Sequence, residues 1–157
     1  MKKLVLIFVV SFLVCSLYGQ KAMSFEEAAK QGITTKSLDS IYISAINVIN
    51  DESGNYIYEN EEEVMEAWYK MFEDISIFLW KTEEMKEVEI RIFQRVYFNK
   101  DGKIDYYLYK IQNHNEITEE QALQVANSLN EFVKEYQFSF SAIKDFVQCG
   151  VAKFAAK

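Results

Sequence analysis

Between residues 87 and 111 apolar and polar positions alternate with a period of two. Val88, Ile90, Ile92, Gln94, Val96 and Phe98 fall on one side of an extended run; Glu87, Glu89, Arg91, Phe93, Arg95 and Tyr97 fall on the other. That spacing predicts a strand with one apolar face and one mixed face. Ile104, Tyr106 and Leu108 continue the apolar set, and Asp105, Tyr107 and Tyr109 the mixed one. Between the runs stands Asn99-Lys100-Asp101-Gly102-Lys103. Asn and Asp can bond their own backbone there, and Gly102 can take positive φ without a Cβ clash, so a type I turn closed by a glycine bulge is expected. A two-stranded ribbon is marginal in water, so other elements must cover its apolar face.

The period changes elsewhere. Val64, Ala67, Trp68, Met71, Phe72, Ile75, Phe78 and Leu79 form a wide apolar stripe behind an acidic start, predicting a long helix over 61–80. Thr118-Glu119-Glu120-Gln121 has capping-box spacing, and Ala122, Leu123, Val125, Ala126, Leu129, Phe132, Val133 and Tyr136 carry a second helix over 118–136. Ser24-Phe25-Glu26-Glu27 opens a short helix that Gly32 can stop. Leu38, Ile41, Tyr42, Ala45 and Ile46 have helical spacing after Ser37, although Ile41, Tyr42 and Ile43 could also begin a strand. Residues 146–154 read as a last strand, with Gly150 as a weak point or bulge. The expected fold class is therefore α+β. A three-stranded antiparallel sheet (hairpin 87–111 plus strand 146–154) carries helix 118–136 on its apolar face. Helix 61–80 and the short N-terminal helices cover the rest.

Composition narrows the class. The chain has 157 residues, 50% of them apolar and 15% aromatic, which is enough for one domain with a real core. It contains no proline, so it has no stiff proline-rich spacer. Net charge is −7, and −9 without Lys2 and Lys3. An acidic chain lacking a basic patch argues against nucleic acid or anionic lipid as partners. Lys2 and Lys3 precede an apolar run over 4–14, the pattern of a signal peptide ending near residue 20, which is too short to span a bilayer. Residues 21–157 then form a single domain, periplasmic or secreted. Cys15 is preceded by Val14 rather than the small residue a lipidation site requires. Once the signal leaves, Cys149 is the only cysteine, which forbids an internal disulfide and is ordinarily a small buried hydrophobe in a strand.

Candidate chemistry is sparse. His114, the only histidine, lies in the polar loop Asn113-His114-Asn115-Glu116 with no second histidine to join it as a base or metal ligand. Asn99 to Asp105 imitates the middle of a calcium loop. Its first and twelfth positions would be Tyr97 and Leu108, which cannot ligate the ion. No cofactor fingerprint, P-loop or nucleophile elbow is present. Carboxylates are plentiful, but no pair is singled out by spacing.

The order from residue 87 onward, strand, turn, strand, capped helix and strand, resembles the C-terminal domain of the TonB energy-transducer family. The resemblance rests on Val96-Tyr97-Phe98-Asn99-Lys100-Asp101-Gly102-Lys103-Ile104, on the helix through Ala122 and Leu129, and on residues 146–154. It covers about the last 70 residues. The family's proline-rich spacer and the proline after its helix are missing, so the resemblance implies the fold and not energy transduction. It also implies that a partner peptide would add its strand to the edge at 146–154.

The expectation is an exported binding module that takes a protein or peptide partner, with no cofactor, no metal and no catalysis. Its candidate surface is the mixed face bearing Arg91, Phe93, Arg95, Tyr97, Tyr107 and Tyr109, since Tyr and Arg dominate partner hot spots. The alternatives are a small-ligand carrier with an aromatic-lined pocket and a hydrolase using two acids. Helix 61–80 could instead cover the mixed face.

Overall fold

The hairpin forms where the alternation places it, with β3 at Ile90–Phe98 and β4 at Ile104–Ile111. Its turn is held by Asn99, whose Oδ1 accepts the N–H groups of Asp101 at 3.0 Å and Lys103 at 3.1 Å. Gly102 sits at φ +83°, a region costly for any residue with a Cβ. The computed structural model that shows this describes residues 20–45, 61–139 and 142–155.

The ribbon contains a register shift. Phe98 pairs with Ile104 but Tyr97 pairs with Tyr106, so Asp105 is the extra residue of a β-bulge. Because side chains alternate, one extra residue exchanges the faces of the rest of the strand. Tyr107, Tyr109 and Ile111 therefore turn to the same face as Ile92 and Val96, and Tyr106 and Leu108 turn to the other, beside Tyr97.

The expected antiparallel sheet of about three strands is overturned. The sheet has five strands and is mixed, in the order β1-β4-β3-β5-β2. β1 (Lys21–Ser24) lies parallel to β4, and β2 (Ile43–Ser44) lies parallel to β5 (Phe146–Phe154). β3 is central, antiparallel to both β4 and β5. Both added strands are too short to show a period of two, and their partners are distant in sequence. The helix expected from Leu38 onward is overturned: a short helix ends at Asp39, before Ile41 and Tyr42. The N-terminal helices are α1 (Phe25–Lys30) and α2 (Thr35–Asp39), capped by Ser24 and Thr34. Beyond α2 the chain enters β2, where Ile43 N–H donates to Asp145 O at 3.1 Å and Ala45 N–H to Val147 O at 3.0 Å. Ladder bonds and β-branched residues outweigh a helical stripe of only a few positions. Ile46 lies outside the described residues, as do the apolar run over 4–14 and Cys15.

Helices α3 (Glu61–Leu79) and α4 (Glu119–Glu135) match the expected stripes, and Thr118 caps α4 with its predicted box. They lie together on the even-numbered face of β3. Val64, Trp68, Met71, Ile75 and Leu79 of α3 meet Val125, Leu129, Phe132 and Val133 of α4 over Ile90, Ile92, Val96 and Phe98. Burying each large side chain contributes roughly 1.5–3 kcal/mol. So α3 does not cover the mixed face. That task falls to α1 and α2, whose Ala28 and Leu38 join Met23, Tyr42, Tyr97, Leu108 and Val147 in a smaller cluster. Nor does Gly150 make a bulge. The β3–β5 register runs through it unbroken, opposite Gln94, and a Cβ there would meet Trp68 Nε1 at 3.7 Å, an ordinary van der Waals contact.

Candidate functional site

The expected surface residues separate into three environments. Tyr107 and Tyr109 leave the mixed face because of the Asp105 bulge. Tyr107 is fully buried and donates to Gln94 Oε1, also fully buried. Burial holds its hydroxyl proton far above the usual range. Tyr109 is 5% exposed, and burial, with help from the Glu27 charge, pushes it up to about 12.

Arg95 and Tyr97 stay on the odd-numbered face, but they are engaged. Arg95 pairs with Asp39 of α2 at 2.7 Å and donates from Nε to the Tyr97 hydroxyl at 2.9 Å. That hydroxyl donates to the same Asp39 oxygen at 3.1 Å. Tyr97 lies under Tyr42, their ring centroids 5.1 Å apart, and burial pushes its hydroxyl up to about 12. Nearby, Asp105 accepts the Tyr42 hydroxyl at 2.8 Å, and burial raises its carboxyl above the ordinary range. These contacts dock α2 on the sheet. Arg91 is likewise paired, to Glu116 at 2.8 Å and to Glu89 at 3.3 Å. Only Phe93 is both half-buried and uncommitted to a polar partner; its ring stacks on Phe25 with centroids 5.7 Å apart.

What the odd-numbered face leaves open is its other end. Val151, directly opposite Phe93, is 57% exposed. Cys149, opposite Arg95, is exposed, contrary to the buried hydrophobe expected for it. The reason is coverage: α1 and α2 reach Val147 but not two residues further along β5. Alternation alone puts Cys149, Val151 and Lys153 on one side of β5. Knowing that this is the uncovered side requires the pairing register and the position of the N-terminal helices.

Two concavities flank this region. An open cleft of about 810 Å³ is lined by Phe25, Phe93, Tyr109, Lys110 and His114 among others. A groove of about 680 Å³ lies along the outer edge of β5 near its end, lined by Tyr69, Phe72, Ile77 and Trp80 and by Val151 and Phe154. Tyr69 and Ile77 are 60% and 63% exposed. Among the described residues, no three His, Cys, Asp or Glu side chains gather as a metal site, and no helix is long and apolar enough to cross a membrane. No protein-family model matches the chain, and no curated protein or solved structure matches it either.

Proposed function

We propose that this chain is an exported, non-catalytic binding protein that docks a polypeptide partner on the open end of the odd-numbered sheet face. The observation that carries this reading is Val151, a large apolar side chain 57% exposed next to Phe93 on a face whose other end is sealed. Exposed apolar area beside a groove is where protein contacts concentrate. The β5 backbone favours an extended partner. The carbonyls of Asp145 and Val147 already face outward, to β2. Period-two alternation aims the polar groups of Val151 and Lys153 the same way, where none of the described residues is paired with them by β2. The peptide edge implied by the TonB resemblance is thereby shortened, since β2 occupies Phe146 and Val147.

Cys149 supplies a handle for the test. A benzophenone is attached to it in a Cys15→Ser chain and irradiated in an extract of the producing cells. The reading predicts one discrete adduct, absent when the label is moved to α4 in a Cys15→Ser, Glu120→Cys, Cys149→Ser chain, and lost with Val151→Glu. Equal adducts from both positions, none from either, or an adduct indifferent to Val151→Glu would refute it.

A further inference from the structure

The 810 Å³ cleft borders the docking surface at Phe93 and suits a different ligand class. β1 ends at Ser24, opposite Tyr109, and α1 turns away there. Lys110 and Ile111 extend β4 beyond that pairing, and the cleft forms around this corner. Phe25 and Phe93, stacked on each other, line it from the odd-numbered face beside Lys110, while Tyr109 and Ile111, on the opposite face, and Ala122 of α4 line it from across the β4 edge. The size falls within the roughly 300–1,000 Å³ typical of small-molecule sites.

Its charged groups are unequally committed. Glu27 is held by the α1 cap: its Oε2 accepts from Ser24 N at 2.8 Å and Ser24 Oγ at 3.0 Å, and the Ser24 backbone bond keeps its carboxyl below the usual range. Lys30 adds a longer-range pull on the same carboxylate. Lys110 is exposed, and among the described residues it lies within ion-pair distance of no carboxylate. His114 lies along the same wall. Glu26 is the opposing charge at the rim. A flat ring can stack on Phe93, and an acid group on that ring can reach Lys110, which has no carboxylate partner among the described residues. A quaternary or primary ammonium would gain from the aromatic walls but would meet Lys110 and Lys30.

We infer that this cleft binds a planar aromatic carboxylate, its ring against Phe93 and Phe25 and its carboxylate on Lys110. The site shares Phe93 with the polypeptide surface around Val151 but adds Phe25 and Lys110, so Lys110→Glu separates the two.

The probe is 2-naphthoate, titrated into the 15N-labelled chain and followed by amide shifts. Saturable shifts are expected at 24–27, at Phe93 and at 110–111. Lys110→Glu should weaken binding about fivefold or more, as loss and reversal of one charge contact allows. Phe93→Ala should weaken it further, and Phe93→Leu serves as the variant that keeps the packing if the alanine chain fails to fold. The neutral 2-naphthalenemethanol should bind more weakly than the acid and be indifferent to Lys110→Glu. Four results would each overturn the inference. These are no saturation up to millimolar naphthoate, shifts centred elsewhere, no effect of Lys110→Glu, or 2-naphthylmethylamine binding as tightly as the acid. The benzophenone adduct from Cys149 should survive Lys110→Glu, so failure here leaves the docking reading standing, and the reverse.

Discussion

Tyr107→Phe deletes one oxygen from the middle of the core. The Tyr107 hydroxyl donates to Gln94 Oε1, and both side chains are 0% exposed. Among the described residues, Gln94 Nε2 already lacks a partner. Removing the hydroxyl leaves the whole Gln94 amide buried and unpaired, which costs about 1–3 kcal/mol. For a domain of this length that corresponds to a fall in Tm of roughly 3–10 °C. Urea unfolding followed by tryptophan fluorescence measures it. The second arm is Gln94→Leu combined with Tyr107→Phe. With both polar partners gone, and the orphaned Nε2 with them, stability should return to wild type or exceed it. Had Tyr107 lain on the solvated mixed face, as simple alternation places it, Tyr107→Phe would change stability by less than about 0.5 kcal/mol. That outcome, or a double variant no better than the single, would refute the bulge-driven exchange of faces.

Other perturbations test separate parts of the account. Gly102→Ala should cost about 1 kcal/mol or more in urea unfolding, because φ is +83° in the hairpin turn. Thr118→Ala should cost about 1 kcal/mol by removing the α4 cap. Val151→Glu should leave stability within about 0.5 kcal/mol of wild type while abolishing the cross-linked adduct. Asp105 gives a pH signature: burial raises its folded pKa, so the folded state keeps a proton that the unfolded chain has lost, and stability falls as pH rises through the folded value. Asp105→Asn, which can still accept from Tyr42, should therefore gain stability relative to wild type between acid pH and pH 7. A constant difference across urea midpoints from pH 3 to 7 would contradict it.

The long elements were legible because their signals repeat. The stripes of α3 and α4 run for many turns, and β3 alternates over nine residues. The turn was legible because Asn99 and Gly102 satisfy its backbone locally. What escaped was decided at a distance or by a single residue. β1 and β2 have four and two residues, and become strands only because β4 and β5 present unpaired edges. Asp105 carries no mark that separates a bulge from a regular strand position, yet it sends Tyr107 and Tyr109 into the core. Arg91 and Arg95 looked available because Glu116 and Asp39 are distant in sequence. Val151 carries no mark, and Cys149 reads as a buried strand residue, because their exposure depends on how far α1 and α2 extend over the sheet.

The odd-numbered sheet face is closed at Tyr97 and Val147 and open two residues further on, at Cys149. Reaction of the thiol with an aromatic disulfide reagent measures that boundary. In a Cys15→Ser chain, Cys149 should react in the folded protein within about tenfold of its rate in urea, as an exposed thiol does. In a Cys15→Ser, Val147→Cys, Cys149→Ser chain, where the site is 3% exposed, the new thiol should be slowed more than about 100-fold, since reaction then requires opening of the cluster. Cys149 protected as strongly as position 147 would mean that the face is covered throughout, and the docking surface would not exist.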